Sequence, residues 1–181
     1  MSGVSFLYDA YIRSYSLDKE EDAEFFEYIS ELFYREELQG MAIYPQHGDI
    51  DRVQHILSVA YVSYVLAKKY NLKIKEVCRG AILHDLFYYD WHVGDNSHRL
   101  HGYRHPGFAL KNAKAITELN KIEENIIKRH MWPLTPTPPR YKEAYAVTLA
   151  DKYCAWQEVL ICNVKSYKRK FNENLKGKAG K

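Results

Sequence analysis

The chain has 181 residues, 46% hydrophobic and 27% charged, an ordinary soluble balance in a length that fits one domain able to bury a core without staples. Cys78, Cys154 and Cys162 form no CxxC and leave an odd count, which speaks against a disulfide framework and for a reducing, cytoplasmic compartment; no segment approaches the roughly 18 uninterrupted apolar residues of a membrane span, and Met1 to Arg13 lacks the pattern of an export signal. The net charge of +3 is uneven, because Lys165 to Lys181 holds seven Lys or Arg against one Glu; this net +6 leaves −3 for the body, and a solvated, flexible basic tail makes neither nucleic acid nor membrane an expected partner.

Residues 1–17 are rich in tyrosine and carry no clear period. From Asp18 to Leu38 the positions Phe25, Phe26, Ile29, Leu32 and Phe33 predict an amphipathic helix ending near Gly40, with acidic residues in its first turn. Pro45 to Asp49 reads as a turn, after which Asp49 or Asp51 caps a helix running to about Tyr70. Val53, Ile56, Leu57, Ala60 and Tyr64 share one stripe of that helix, and His55 lies on its apolar side. A third helix is predicted over 74–87.

Tyr88 to Tyr103 is irregular and polar, with Asp90, Trp91, His92, Asp95, His98 and His101, and its length suits a functional loop. His105-Pro106-Gly107 is then expected to open a helix, with proline at the first helical position. On a short helix over 121–131, Ile122, Ile126 and His130 are four apart. Pro133, Pro136, Pro138 and Pro139 make a stiff connector, and a last helix from about Tyr141 to Val164 places Ala144, Val147, Thr148, Asp151 and Ala155 on one face.

The run Ala81-Ile82-Leu83-His84-Asp85-Leu86-Phe87 puts a histidine and an aspartate among apolar neighbours, where a charge is costly unless it is paired or metal-bound. Their candidate partners are His55, His105, His130 and Asp151. Four imidazoles and two carboxylates suit first-row transition ions, and six unrelated buried polar residues would each need a separate partner.

In these residues the chain resembles the HD-domain superfamily, whose metal site joins a helical His, a His-Asp pair and a final helical Asp; here they are His55, His84-Asp85 and Asp151, within about 47–160. Members with two metal ions add two histidines, which His105 and His130 match, with His98 or His101 as alternatives to His105. Small bacterial HD proteins that cleave symmetrical dinucleoside tetraphosphates look similar. Single-metal HD nucleotidases differ, because they place a catalytic Glu shortly after the pair and Leu86-Phe87-Tyr88 offers none.

The resemblance implies an all-α, compact single-domain helical bundle with its metal-site core at about 47–160; the chain is expected to form this one domain over 1–164, followed by the basic tail at 165–181. It also implies hydrolysis of a phosphoester or phosphoanhydride, in a small phosphorylated substrate such as a nucleotide, by hydroxide held at one or two divalent transition ions (Fe, Mn or Co). His55, His84 and Asp151 would hold the first ion, His105 and His130 the second, and Asp85 both. Arg52 and Lys152 are the expected phosphate-holding cations, followed by Arg104, Lys128, Arg129 and Arg140; Tyr88, Tyr89, Trp91 and Trp132 are candidates to stack a base. The same ligands serve di-iron HD oxygenases, a nucleotide-binding module without turnover is a third reading, and a homodimer is compatible with all three.

Overall fold

The computed structural model describes residues 5–47, 50–92 and 100–161. Asp49, Asp95, His98, Cys162 and the basic tail lie outside the described residues. Eight α-helices, one short 3-10 helix (Gly40–Ile43) and a two-stranded sheet make up the regular structure of the described part, so the fold is all-α. No helix among the described residues is long and apolar enough to cross a membrane.

The helices are α1 (Ser5–Arg13), α2 (Ala23–Phe33), α3 (Glu36–Gln39), α4 (Arg52–Lys69), α5 (Ile74–Leu83), α6 (His101–Ile116), α7 (Lys121–Arg129) and α8 (Lys142–Ile161). α4 is the central rod: Ile56, Leu57, Val59, Ala60 and Val62 are fully buried, because α1, α5 and α8 pack against different sides of it. Asp51 caps it as expected, its Oδ1 accepting from Gln54 N at 2.9 Å. Of the segment expected as a turn, Pro45–His47 is a strand, β1, paired antiparallel with β2 (Ile50–Asp51).

Several boundaries depart from the periodicity. Residues 1–17 contain α1, and two of their tyrosines are core residues: Tyr11 within α1 and Tyr15 just after it are buried with their hydroxyls 2.7 Å apart, so each phenol stays hydrogen-bonded, while Tyr8 of α1 is exposed. The helix expected from Asp18 starts at Ala23, because the acidic side chains hold a turn instead. Asp18 Oδ1 accepts from Glu20 N, and Asp22 Oδ2 from Asp18 N, a local competition with the helix ladder that Asp commonly wins. α6 starts at His101, one turn before Pro106, which therefore lies inside the helix.

α5 also ends early, and His84 is the reason. Its Nδ1–H donates to Ala81 O at 2.7 Å, and its own backbone N–H reaches the same carbonyl at 3.4 Å. That carbonyl is the one Asp85 N–H would need to continue the helix. His84 and Asp85 thus occupy a tight turn and not the helix predicted over 74–87. The chain beyond them is pinned by side chains on four successive carbonyls: Asn112 holds Leu86 O, Arg52 holds Phe87 O, Tyr44 holds Tyr88 O, and Arg52 also holds Tyr89 O. Buried backbone acceptors outside regular structure need such partners.

α5 and α7 meet at Gly80. A Cβ there would lie 2.7 Å from Ile126 Cδ1 and 3.0 Å from its Cβ, too close for any rotamer of Ile126 to relieve. Gly80→Ala is therefore expected to destabilise the protein by about 1–3 kcal/mol despite alanine's better helix propensity. Chemical denaturation measures the loss, which should be smaller when Gly80→Ala is made in an Ile126→Ala background, where Cδ1 and Cγ2 are gone and only the Cβ contact remains.

Candidate metal centre

Five elements deliver the six polar residues to one place: α4 brings His55, the turn after α5 brings His84 and Asp85, α6 brings His105, the end of α7 brings His130, and α8 brings Asp151. None is more than 8% exposed. His55, His84 and Asp85 form one group whose ligand atoms lie within 4.8 Å of one another, and Asp85, His105 and His130 form a second. Asp85 belongs to both. Asp151 closes the first side, with Oδ1 at 3.3 Å from His55 Nε2 and 3.7 Å from His84 Nε2.

The tautomers follow from what each Nδ1 touches. A carbonyl only accepts, so an Nδ1 against a carbonyl carries the proton and leaves the lone pair on Nε2. His84 Nδ1–H donates to Ala81 O, His130 Nδ1–H to Ile127 O at 2.9 Å, and His105 Nδ1–H to His101 O at 3.0 Å. Each acceptor is three or four residues earlier, so the helix or helix end that leads into the histidine also aims it. His55 Nδ1 is held by Glu158 through both carboxylate oxygens at 2.9 Å. All four Nε2 atoms are thereby turned toward Asp85 and Asp151.

This arrangement fits a cation. His84 Nε2 and Asp85 Oδ1 are buried with no hydrogen bond, and His105 Nε2 faces His130 Nε2 at 2.7 Å. Two lone pairs at that distance repel unless a proton or a metal ion lies with them. Clustered imidazole and carboxylate donors with fixed outer partners are what a first-row divalent ion takes, so these residues can hold a metal.

In the protein without metal, protons carry that positive charge. Burial pushes His55 down, but Glu158 and Asp151 outweigh it and hold the imidazole well above its ordinary value. His84 is likewise lowered by burial and raised on balance by Asp85 and Asp151. Burial alone would raise both carboxyls. The facing histidines instead hold Asp85 and Asp151 well below the usual carboxylate range, while burial keeps His130 below its ordinary value.

The raised imidazoles stabilise the metal-free fold fully below about pH 6.5 and lose that contribution as pH rises through their folded values; the depressed carboxyls contribute above about pH 4 and lose it as pH falls. A metal ion must displace the imidazole protons. Apparent Mn²⁺ affinity, titrated at pH 6 and pH 8, is therefore expected to rise with pH, by about tenfold per unit for each proton displaced.

Two residues absent from the sequence reading complete the site. Glu158 lies seven positions after Asp151, two turns along the same face of α8, a spacing that could have flagged it. Gln46 had no local signal: its Nε2–H donates to Asp85 Oδ2 at 2.9 Å, and its Oε1 accepts from Arg52 Nε–H at 3.0 Å. Arg52, expected to hold phosphate, is fully buried. Its guanidinium is committed to Gln46, Phe87 O and Tyr89 O and lies 3.7 Å from the Phe87 ring centre. It orients Asp85 through Gln46 and has no surface for a substrate.

Lys152 does have such a surface. Its side chain is 40% exposed, Nζ donates to His130 O at 3.0 Å, and Asp151 Oδ2 is 3.6 Å away. His101 stacks on His105 with ring centres 4.4 Å apart and meets Tyr89 OH through Nδ1, so it backs the cluster while His105 faces it. Of the candidate stacking residues, Trp91 already packs on His92 and His101, Tyr89 packs on Phe87, and Trp132 meets Tyr145 edge-on. Tyr88 is exposed.

A family model described as HD domain matches residues 52–156, more than half of the chain and all six clustered residues. No curated protein and no solved structure matches.

Proposed function

Because the chain belongs to the HD-domain family, we propose that it is a metal-dependent hydrolase of phosphorylated small molecules, cleaving a phosphoester or phosphoanhydride, with nucleotides the first substrates to try. An HD domain by itself suggests metal-dependent hydrolase-type activity. The observation that carries the reading is the tautomer pattern: four imidazoles with Nδ1 committed outward and Nε2 turned toward two buried carboxylates. His55, His84 and Asp151 would hold one ion, His105 and His130 a second, and Asp85 would serve both. Bound there, divalent ions supply Lewis acidity toward phosphoryl oxygens and make water more acidic.

The chain's own groups do the rest. Gln46 and Arg52 fix the Asp85 carboxylate, so its charge meets the ions without reorganisation. Lys152 presents an ammonium beside the cluster, tethered to the carbonyl of His130, where it would bind a phosphoryl oxygen as a point charge. Phe87, fully buried against the His105 and His101 rings, keeps solvent out on that side. No side-chain nucleophile is required.

The test is release of phosphate or nucleotide from mononucleotides, dinucleoside polyphosphates, guanosine polyphosphates and cyclic nucleotides, with Mn²⁺ added. Turnover that depends on added metal supports the reading and names the substrate class. Silence across the panel from protein with measured metal content would overturn it, and dioxygen consumption by the iron-loaded protein would replace it with oxygenase chemistry.

A further inference from the structure

We propose that the outer face of α7 is a second anion site, one that takes a di- or triphosphate group independently of the metal centre. α7 has two working faces. Ile126 and Ile127 pack into the core and the helix ends at His130, while Lys121, Asn125 and Lys128 recur at helical spacing on the opposite side. That outer face, together with Leu110 of α6 and Arg140 just before α8, borders an open concavity of about 240 Å³. None of the six clustered metal-site residues lines it.

The charge around this concavity is one-sided. Lys121, Lys128, Arg129 and Arg140 line it, and no ion pair engages any of the four among the described residues. The acidic residue of the lining, Glu124, is already paired, its Oε1 lying 2.8 Å from Lys114 Nζ. Four cations left to face one concavity repel one another and raise the local concentration of anions. Arg140 is positioned by its backbone, since its N–H donates to Asn125 Oδ1 at 2.8 Å; this orients the amide so that Asn125 Nδ2 remains as a further donor.

Size and charge together select the ligand. Pockets for whole drug-sized molecules run to roughly 300–1,000 Å³, so about 240 Å³ suits a short phosphate chain. Three or four negative charges on it would match the four cations. A free polyphosphate and the tail of a nucleotide share this chemistry. Lys128, Arg129 and Arg140, expected from the sequence as reserve phosphate-holding groups of the active site, belong to this concavity.

The test is calorimetric titration of the metal-stripped full chain with sodium tripolyphosphate and, separately, with ATP. Saturable binding of tripolyphosphate is expected, weakened about tenfold or more by Lys128→Ala/Arg140→Ala and less than twofold by Lys19→Ala/Lys75→Ala, which removes equal charge elsewhere. Lys121→Glu provides a second surface variant with the same expected loss. ATP binding as tightly as tripolyphosphate would assign the site to the phosphate chain alone, and tighter ATP binding would assign it to a nucleotide. Absence of saturation up to millimolar tripolyphosphate, or equal weakening by the control pair, would overturn the site. These outcomes do not depend on metal or turnover, so they are separable from failure of the hydrolase reading.

Discussion

Asp85→Ala is expected to empty the centre of metal and to lower any hydrolytic turnover by at least about 10³-fold, because the ligand it removes is common to both groups and the ions supply several kcal/mol of charge stabilisation. The same change leaves Gln46 Nε2 without its acceptor and takes from His84, His105 and His130 the carboxylate they face. Metal analysis of the purified protein measures the first effect, and far-UV circular dichroism separates it from unfolding. Asp85→Asn keeps the shape and removes the charge, and it should lose metal as well. His130→Ala, by contrast, should lose one ion and keep the other while the protein stays helical. Full metal occupancy in Asp85→Ala would refute a shared ligand, and full occupancy in His130→Ala would leave a single-ion site.

The second large effect is expected at Glu158, a residue with no contact to the lone pairs themselves. It is fully buried and holds His55 Nδ1 through both oxygens. Without it, His55 is free to put its proton on Nε2, the atom that faces Asp151. Glu158→Ala should weaken Mn²⁺ binding by about 10–100-fold, the usual range for carboxylates that orient a ligating imidazole. Glu158→Gln, whose amide oxygen can still accept from Nδ1–H, should lose less. Glu158 is also the first of the groups that raise His55, so the rise of metal affinity with pH should move to lower pH in both variants. Unchanged affinity in Glu158→Ala would show that the α4 backbone alone orients His55.

Periodicity and the cost of buried charge made much of this protein legible in advance. The apolar stripes of α2, α4 and α8 report short-range spacing, which a sequence carries directly. So does the oddity of His84-Asp85 inside Ala81 to Phe87, and the ordered set from His55 to Asp151 matched a known family pattern. Boundaries were less legible where a side chain competes for a backbone group. His84 takes the Ala81 carbonyl and ends α5, Asp18 and Asp22 delay α2, and His105 reaches the His101 carbonyl within an α6 that begins before Pro106.

By itself the sequence determined an all-α chain with inward-facing histidines and aspartates, because those properties depend on neighbours three or four residues apart. Only the tertiary structure decided which cations serve which purpose. Arg52 and Lys152 look equivalent beside His55 and Asp151 in a one-dimensional reading, yet packing buries Arg52 on carbonyls from residues 87 and 89 and leaves Lys152 at the surface. Gln46 and Glu158 acquire their roles across 39 and 103 residues. Contacts of that range depend on how helices cross, and no local pattern encodes them.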